Sequence, residues 1–265
     1  MGTSLVRPVA GGAFLLGVLL GVSGCVTSSS RPEPPETNKE DAARYNLELG
    51  ISYLRQNNLQ VAREKLEKAI REKPDMARAH AVLGIVFERL EDPKGAEREY
   101  RRAVDLDSSD PDSLNLLAIF TCSSKAEPQE ALKLFDKAIA VPLSVKAANR
   151  PMLYTNAGTC AKAVNPALAE NYLRAALSLD PRFPDALFQM ADVSLERGNA
   201  LQARGFLERF LAQGKATAAA LWLGVRIEES LSDTKAARRY GDQLRKDFPE
   251  SAETRRMFEQ SRSQG

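Results

Sequence analysis

The sequence predicts an all-α chain, a solenoid of about six helix-turn-helix repeats closed by a C-terminal capping helix. Three observations carry this. From Ala43 onward, apolar and small residues recur at helical spacing. A longer period of about thirty-four residues lies over that pattern, and small and aromatic residues return at matching places in successive units, which an ordinary helical bundle has no reason to do.

The first unit shows the pattern best. Leu49, Gly50 and Tyr53 fall on one helix, Ala62, Leu66 and Ala69 on a second, and Pro74 closes the unit. Thirty-four residues later come Leu83, Gly84, Phe87, Ala96, Tyr100 and Ala103. A third unit has Leu117, Ala118, Ala131, Phe135 and Ala138, with one extra residue in its turn; a fourth has Ala157, Gly158, Ala169, Leu173, Ala176 and Pro181. The last two are looser, marked by Met190, Ala191, Ala203 and Leu207, then by Leu223, Gly224, Ala236, Tyr240 and Pro249. The small residues let paired helices approach closely, and the large ones fill the gap between hairpins. This order of large, small, aromatic, small, large, small and proline resembles the tetratricopeptide repeat (TPR), which implies a right-handed superhelix. Ser251 is placed to cap a final charged helix reaching about Arg262, which would cover the last open apolar face.

The N-terminus reads as an address. Arg7 precedes an uncharged, mostly apolar run from Val9 to Val22, too short to span a bilayer comfortably, which ends at Val22-Ser23-Gly24-Cys25. Small residues before a cysteine resemble the bacterial lipobox; an ordinary secretory signal or a short anchor is the alternative. The resemblance implies removal of residues 1–24 and acylation of Cys25, several chains giving firm anchoring where one holds only marginally. Val26, not aspartate, follows the cysteine, which by that resemblance favours the outer membrane. Residues 25–41, with Pro32, Pro34 and Pro35 and almost no apolar content, form a tether able to hold the superhelix of residues 42–265 up to roughly 50 Å from the lipid.

Composition excludes several functions. Lys and Arg number 37 against 35 Asp and Glu in mixed sign, so no basic face is available for nucleic acid. His80 is the only histidine, which leaves catalytic triads and multi-histidine metal sites without material. No phosphate-binding glycine loop occurs, and the carboxylates alternate with lysines and arginines as on a solvated face. The chain therefore reads as a binding scaffold, with no catalytic residue, cofactor, metal or small-molecule substrate. His80 reads as structural at the fourth place of repeat two, and Trp222, beside Leu221 and Leu223 in the first helix of repeat six, as core or inter-repeat packing.

Two further features bear on function. Cys122 and Cys160 lie at similar depth in the first helices of repeats three and four. In an oxidising compartment they can meet as a disulfide, or they can remain two separate buried thiols. First helices line the groove of a TPR array; here that face carries Leu47, Ile51 and Leu54 in repeat one and Ala81 and Ile85 in repeat two, apolar where carboxylate-clamping TPRs have lysine and asparagine. The tether or a neighbouring helix could instead cover Leu47 and Ile51. Asp185, Asp192, Glu196, Glu228 and Glu229 fall on the same face of the later repeats, so the two ends are expected to meet different surfaces.

The stretches LLAIFTC (Leu116 to Cys122), NAGTC (Asn156 to Cys160), AENYLRAALSLDP (Ala169 to Pro181) and LWLGVRIEE (Leu221 to Glu229) are similar to the type IV pilus pilotins of the PilF/PilW family, and Asp247-Phe248-Pro249 closes the sixth repeat in the same manner. Thr121, Ala118 and Ser108 depart from that family's usual leucine, glycine and proline. The resemblance implies an outer-membrane lipoprotein that helps the pilus secretin subunit to insert and multimerise, and a disulfide between Cys122 and Cys160. The rival from another class is a TPR lipoprotein adaptor for cell-wall enzymes or for outer-membrane barrel assembly.

Overall fold

The computed structural model describes residues 38–144, 149–214 and 216–263. Cys25 and the tether up to residue 37 lie outside them. The described residues form thirteen α-helices and no strand. They pair as α1 (Lys39–Arg55) with α2 (Leu59–Glu72), α3 (Ala77–Arg89) with α4 (Pro93–Leu106), and α5 (Pro111–Ser123) with α6 (Pro128–Ala140). The series continues with α7 (Arg150–Ala161) and α8 (Pro166–Leu179), α9 (Pro184–Glu196) and α10 (Ala200–Leu211), α11 (Ala218–Ser230) and α12 (Thr234–Asp247), and closes with α13 (Ala252–Ser263). These are the six expected hairpins and the cap.

Local chemistry sets the boundaries. Asp92, Asp110, Asn149, Asn165, Thr217 and Asp233 each accept from a backbone N–H of the helix that follows, satisfying donors that have no partner within the helix. Prolines at the first turn of α4, α5, α6, α8 and α9 give up an N–H that would be unpaired there anyway. Ser251 Oγ accepts from Thr254 N at 3.1 Å and starts α13. The fold begins at α1, three residues before the expected boundary. Asn38 caps Glu40 N, and Glu40 and Asp41 suit the positive end of the helix dipole, so the polar end of the tether composition serves as the first turn.

Departures from the repeat are absorbed locally. The extra residue of repeat three falls in the α5–α6 turn, where Lys125 reaches back to Glu97 at 2.9 Å. Ser108 costs the link into α5 its proline, but Asp107 Oδ1 accepts from Ser109 N (3.1 Å) and Oγ (2.8 Å), forming a turn without it. Thr121 is buried, and its hydroxyl donates to Leu117 O at 2.7 Å.

The core is a chain of linked clusters between hairpins. Leu66, Phe87, Tyr100, Leu117 and Phe120 dominate the first, Phe135, Leu173, Leu187 and Met190 the second, and Leu207, Leu223 and Ile227 the third. The backbone of each odd-numbered helix closely approaches the next odd-numbered one all along the array. The backbones of even-numbered helices stay further apart and meet through long side chains, as where Tyr172 of α8 donates to Asp136 of α6 at 2.7 Å. The odd helices therefore form the tighter, inner row, and the even helices splay outside.

Candidate functional site

The inner row is the candidate interaction face. Its helices are positioned by the close hairpin packing, and their outward residues divide it into an apolar half and a charged half.

In the apolar half, Ile51, Ile85 and Ile119 recur at intervals of thirty-four residues on α1, α3 and α5, each half-buried and packed against the core clusters. Val82 and Leu116 stand beside them, half-buried as well, and with Ala81 line a cavity of about 410 Å³ between α3 and α5. The expected groove residues separate here. Ile51 and Ile85 keep exposed surface, whereas Leu47, Leu54 and Ala81 are buried at 5, 8 and 6% exposure. The reason lies in helix geometry, since places a turn apart on α1 also face α2 and α3, and the neighbouring hairpin closes over Leu47 and Leu54. Ile119 was not expected as part of this face, although the offset from Ile85 marks it.

Beyond α5 the row changes character. The structure joins Cys122 on α5 to Cys160 on α7 by a disulfide, with Cα atoms 6.0 Å apart. One turn before Cys160 and two before Cys122, Asn156 Nδ2 donates to Asn115 Oδ1 at 2.9 Å across the same helix pair. Then follows an ionic chain. Lys162, the residue that caps the C-terminus of α7, pairs with Asp192 on α9 and with Glu196 at 3.0 Å, and Arg226 on α11 approaches Asp192 at 3.5 Å. Burial works against the Lys162 charge, but the two carboxylates outweigh it and hold its pKa above the ordinary value.

This corrects the expectation of an acidic C-terminal face in part. Asp192 is held between Lys162 and Arg226, while Glu196 pairs with Lys162 and stays exposed. Glu228 is 3% exposed and turned away into a two-pronged pair with Arg204 of α10. Glu229 accepts from Gln260 Nε2 at 3.2 Å yet stays exposed, as does Asp185. Of the two readings of Trp222, packing between units describes it better than core: it is half-buried and lines a cleft against α13, while its neighbours Leu221 and Leu223 fill the core.

His80 lies inside repeat two, Nδ1 2.8 Å from Glu99 Oε2 and Nε2 3.1 Å from Pro74 O, so both ring nitrogens are engaged in holding the turn before α3 against α4. Among the described residues no cluster of three or more His, Cys, Asp or Glu is arranged to hold a metal ion.

Comparison with known proteins agrees with this architecture. A tetratricopeptide repeat family model matches residues 47–111. The solved structure of PilW, titled a widely conserved type IV pilus biogenesis factor, superposes with a TM-score of 0.76 at 26% identity, covering 82% of this chain and 98% of that one. The solved structure of Pseudomonas aeruginosa PilF gives a TM-score of 0.71 at 29% identity, covering 84% and 99%. In sequence, the type IV pilus assembly protein PilF of Pseudomonas aeruginosa is 31% identical over 242 residues, 91% of this chain and 94% of the relative. With the fold shared and nearly the full length matched at that identity, this chain belongs to the PilF family of type IV pilus assembly proteins.

Proposed function

We propose that this chain is a pilotin: an outer-membrane lipoprotein, anchored through acyl chains on Cys25, that captures the secretin subunit of the type IV pilus machine and promotes its insertion and multimerisation. The observation that carries the reading is the apolar strip of Ile51, Ile85 and Ile119 along the inner row, in a chain of the PilF family. Half-exposed branched side chains at a fixed interval on a rigid row suit an apolar segment of a partner, and covering the surface each still exposes is worth roughly 1 kcal/mol, a fraction of the value for a wholly exposed side chain. Leu47, Leu54 and Ala81 act in this reading by shaping the floor beneath the strip.

The test compares heat-resistant secretin multimers in cells carrying the native chain, Ile51→Glu, Ile85→Glu, or Cys25→Ser. The isoleucine variants are expected to fold and localise normally yet lose secretin capture and most multimers. Cys25→Ser is expected to lose lipid labelling and sedimentation with the outer membrane. Wild-type multimer levels in a folded, localised Ile51→Glu, Ile85→Glu double variant would sink the proposal and favour an adaptor role toward cell-wall enzymes or barrel assembly. The same cells, alkylated before lysis, test whether Cys122 and Cys160 are oxidised to one another in the envelope.

A further inference from the structure

Where the cap meets the last repeat, three helices leave a cleft of about 440 Å³. Trp222 and Val225 of α11 and Met257 of α13 make its apolar walls. Gly241 of α12 keeps the back open, since a Cβ there would stand 3.2 Å from Met257 Sδ. Such a space holds one or two side chains.

The charges on its rim are unequally committed. Glu229 is engaged by Gln260, and Arg245 pairs with Asp242. Arg238 is exposed and has no ion-pair partner among the described residues, and the Trp222 indole N–H has no acceptor among them. The charged side chains that line the cleft are Arg238 and Arg245 against Glu229, so positive charge exceeds negative there by one. An apolar recess walled by Trp222 and an unpaired guanidinium lining the same cleft together fit a carboxylate that sits next to an apolar side chain.

We propose that this cleft is a second docking site, separate from the isoleucine strip, which takes an acidic segment of a partner protein. A carboxylate of the segment meets Arg238, and the adjacent aromatic or aliphatic side chain packs on Trp222. Charge complementarity selects the sign of the partner, and the recessed floor favours a peptide over an anionic bilayer, whose surface cannot enter so small a space.

Trp222 is the single tryptophan of the chain, so its emission reads this cleft directly. The mature chain would be titrated with an acetylated and amidated peptide bearing leucine and phenylalanine between aspartates, and with its lysine counterpart. The expected result is a saturable emission change with the acidic peptide, Kd on the order of 10–100 μM, and none with the basic one. Arg238→Glu should weaken binding at least about tenfold with an unchanged helical melt, while Arg239→Glu, on the same helix but outside the cleft, should leave it intact. The proposal fails if the acidic peptide gives no saturable change up to millimolar concentration. It also fails if the two arginine variants weaken binding equally, or if phosphatidylglycerol vesicles change Trp222 emission where the peptide does not. Ile51→Glu should bind the peptide normally, which separates this site from the proposed secretin contact.

Discussion

A Cβ placed on Gly84 would stand 2.6 Å from both Cδ1 and Cε1 of Tyr100, so glycine at that place is what lets α3 and α4 close. Tyr100 cannot swing aside: it is 1% exposed, tilted against Phe120 at 5.7 Å between ring centroids, and its hydroxyl donates to Glu88 Oε2 at 2.7 Å. Gly84→Val is therefore expected to cost about 3 kcal/mol or more through overpacking, read as a loss in the denaturant midpoint, with Gly84→Ala milder. A valine variant with the native midpoint would show that the hairpin spacing is set elsewhere.

Cys122 and Cys160 enclose a segment with a sequence separation of 38. In the chain-entropy description, closing a loop of that length stabilises the fold by about 4 kcal/mol. The Cys122→Ala, Cys160→Ala double variant should lose a comparable amount in urea, and the native chain should lose it on reduction while the variant does not respond.

Acid should weaken repeat two through Glu99. Burial pushes its carboxyl up, but the hydrogen bonds from His80 and Arg98 together outweigh that and hold it below its ordinary 4.5. A carboxyl lowered on folding stabilises the fold fully above its unfolded value and ceases to do so as pH falls through the lowered folded value. Glu99→Gln should thus melt below the native chain at pH 7, and the gap should narrow once pH drops beneath 4.5. A gap that stayed constant through that range would remove Glu99 as the titrating group.

Ala126 sits in the α5–α6 turn at φ 54°, in the left-handed region where a Cβ is strained. The corresponding turn of repeat five uses Gly198 at φ 77°. Ala126→Gly should relieve the strain and raise stability by about 0.5–1 kcal/mol, despite the added freedom of the unfolded chain. A lower melting temperature would mean that the entropy term dominates.

Hairpin count, packing residues and the capping helix were legible because each repeat states the same contacts again. Gly50, Gly84, Gly158 and Gly224 all face the large residue of their partner helix; an offset of thirty-four residues links the first two, and the recurring pattern of small and large residues, with its spacing shifted after repeat three, finds the others. The inner face was legible only in part. A repeat template marks which residues leave the hairpin, but not how far the next hairpin covers them, so Leu47, Leu54 and Ala81 pass the template and still end in the core. Charged residues were read least well. Glu228 and Arg204 lie in different hairpins, and their pairing depends on the stagger between α10 and α11, for which composition carries no signal. The cleft against α13 escaped for a related reason: the cap does not repeat, so no offset from an earlier unit points to Arg238 or Met257.

The bond between α5 and α7 also decides how the array carries mechanical load. A linear array yields repeat by repeat, each unit held only by its neighbours. When the two ends are drawn apart, extension releases α1 to α5 as far as Cys122 and then resumes at Cys160, because the covalent link shunts tension past everything between. Helix α6, wholly inside that bypass, is never under tension along the chain, so half of repeat three can keep its fold while the outer hairpins are stretched out.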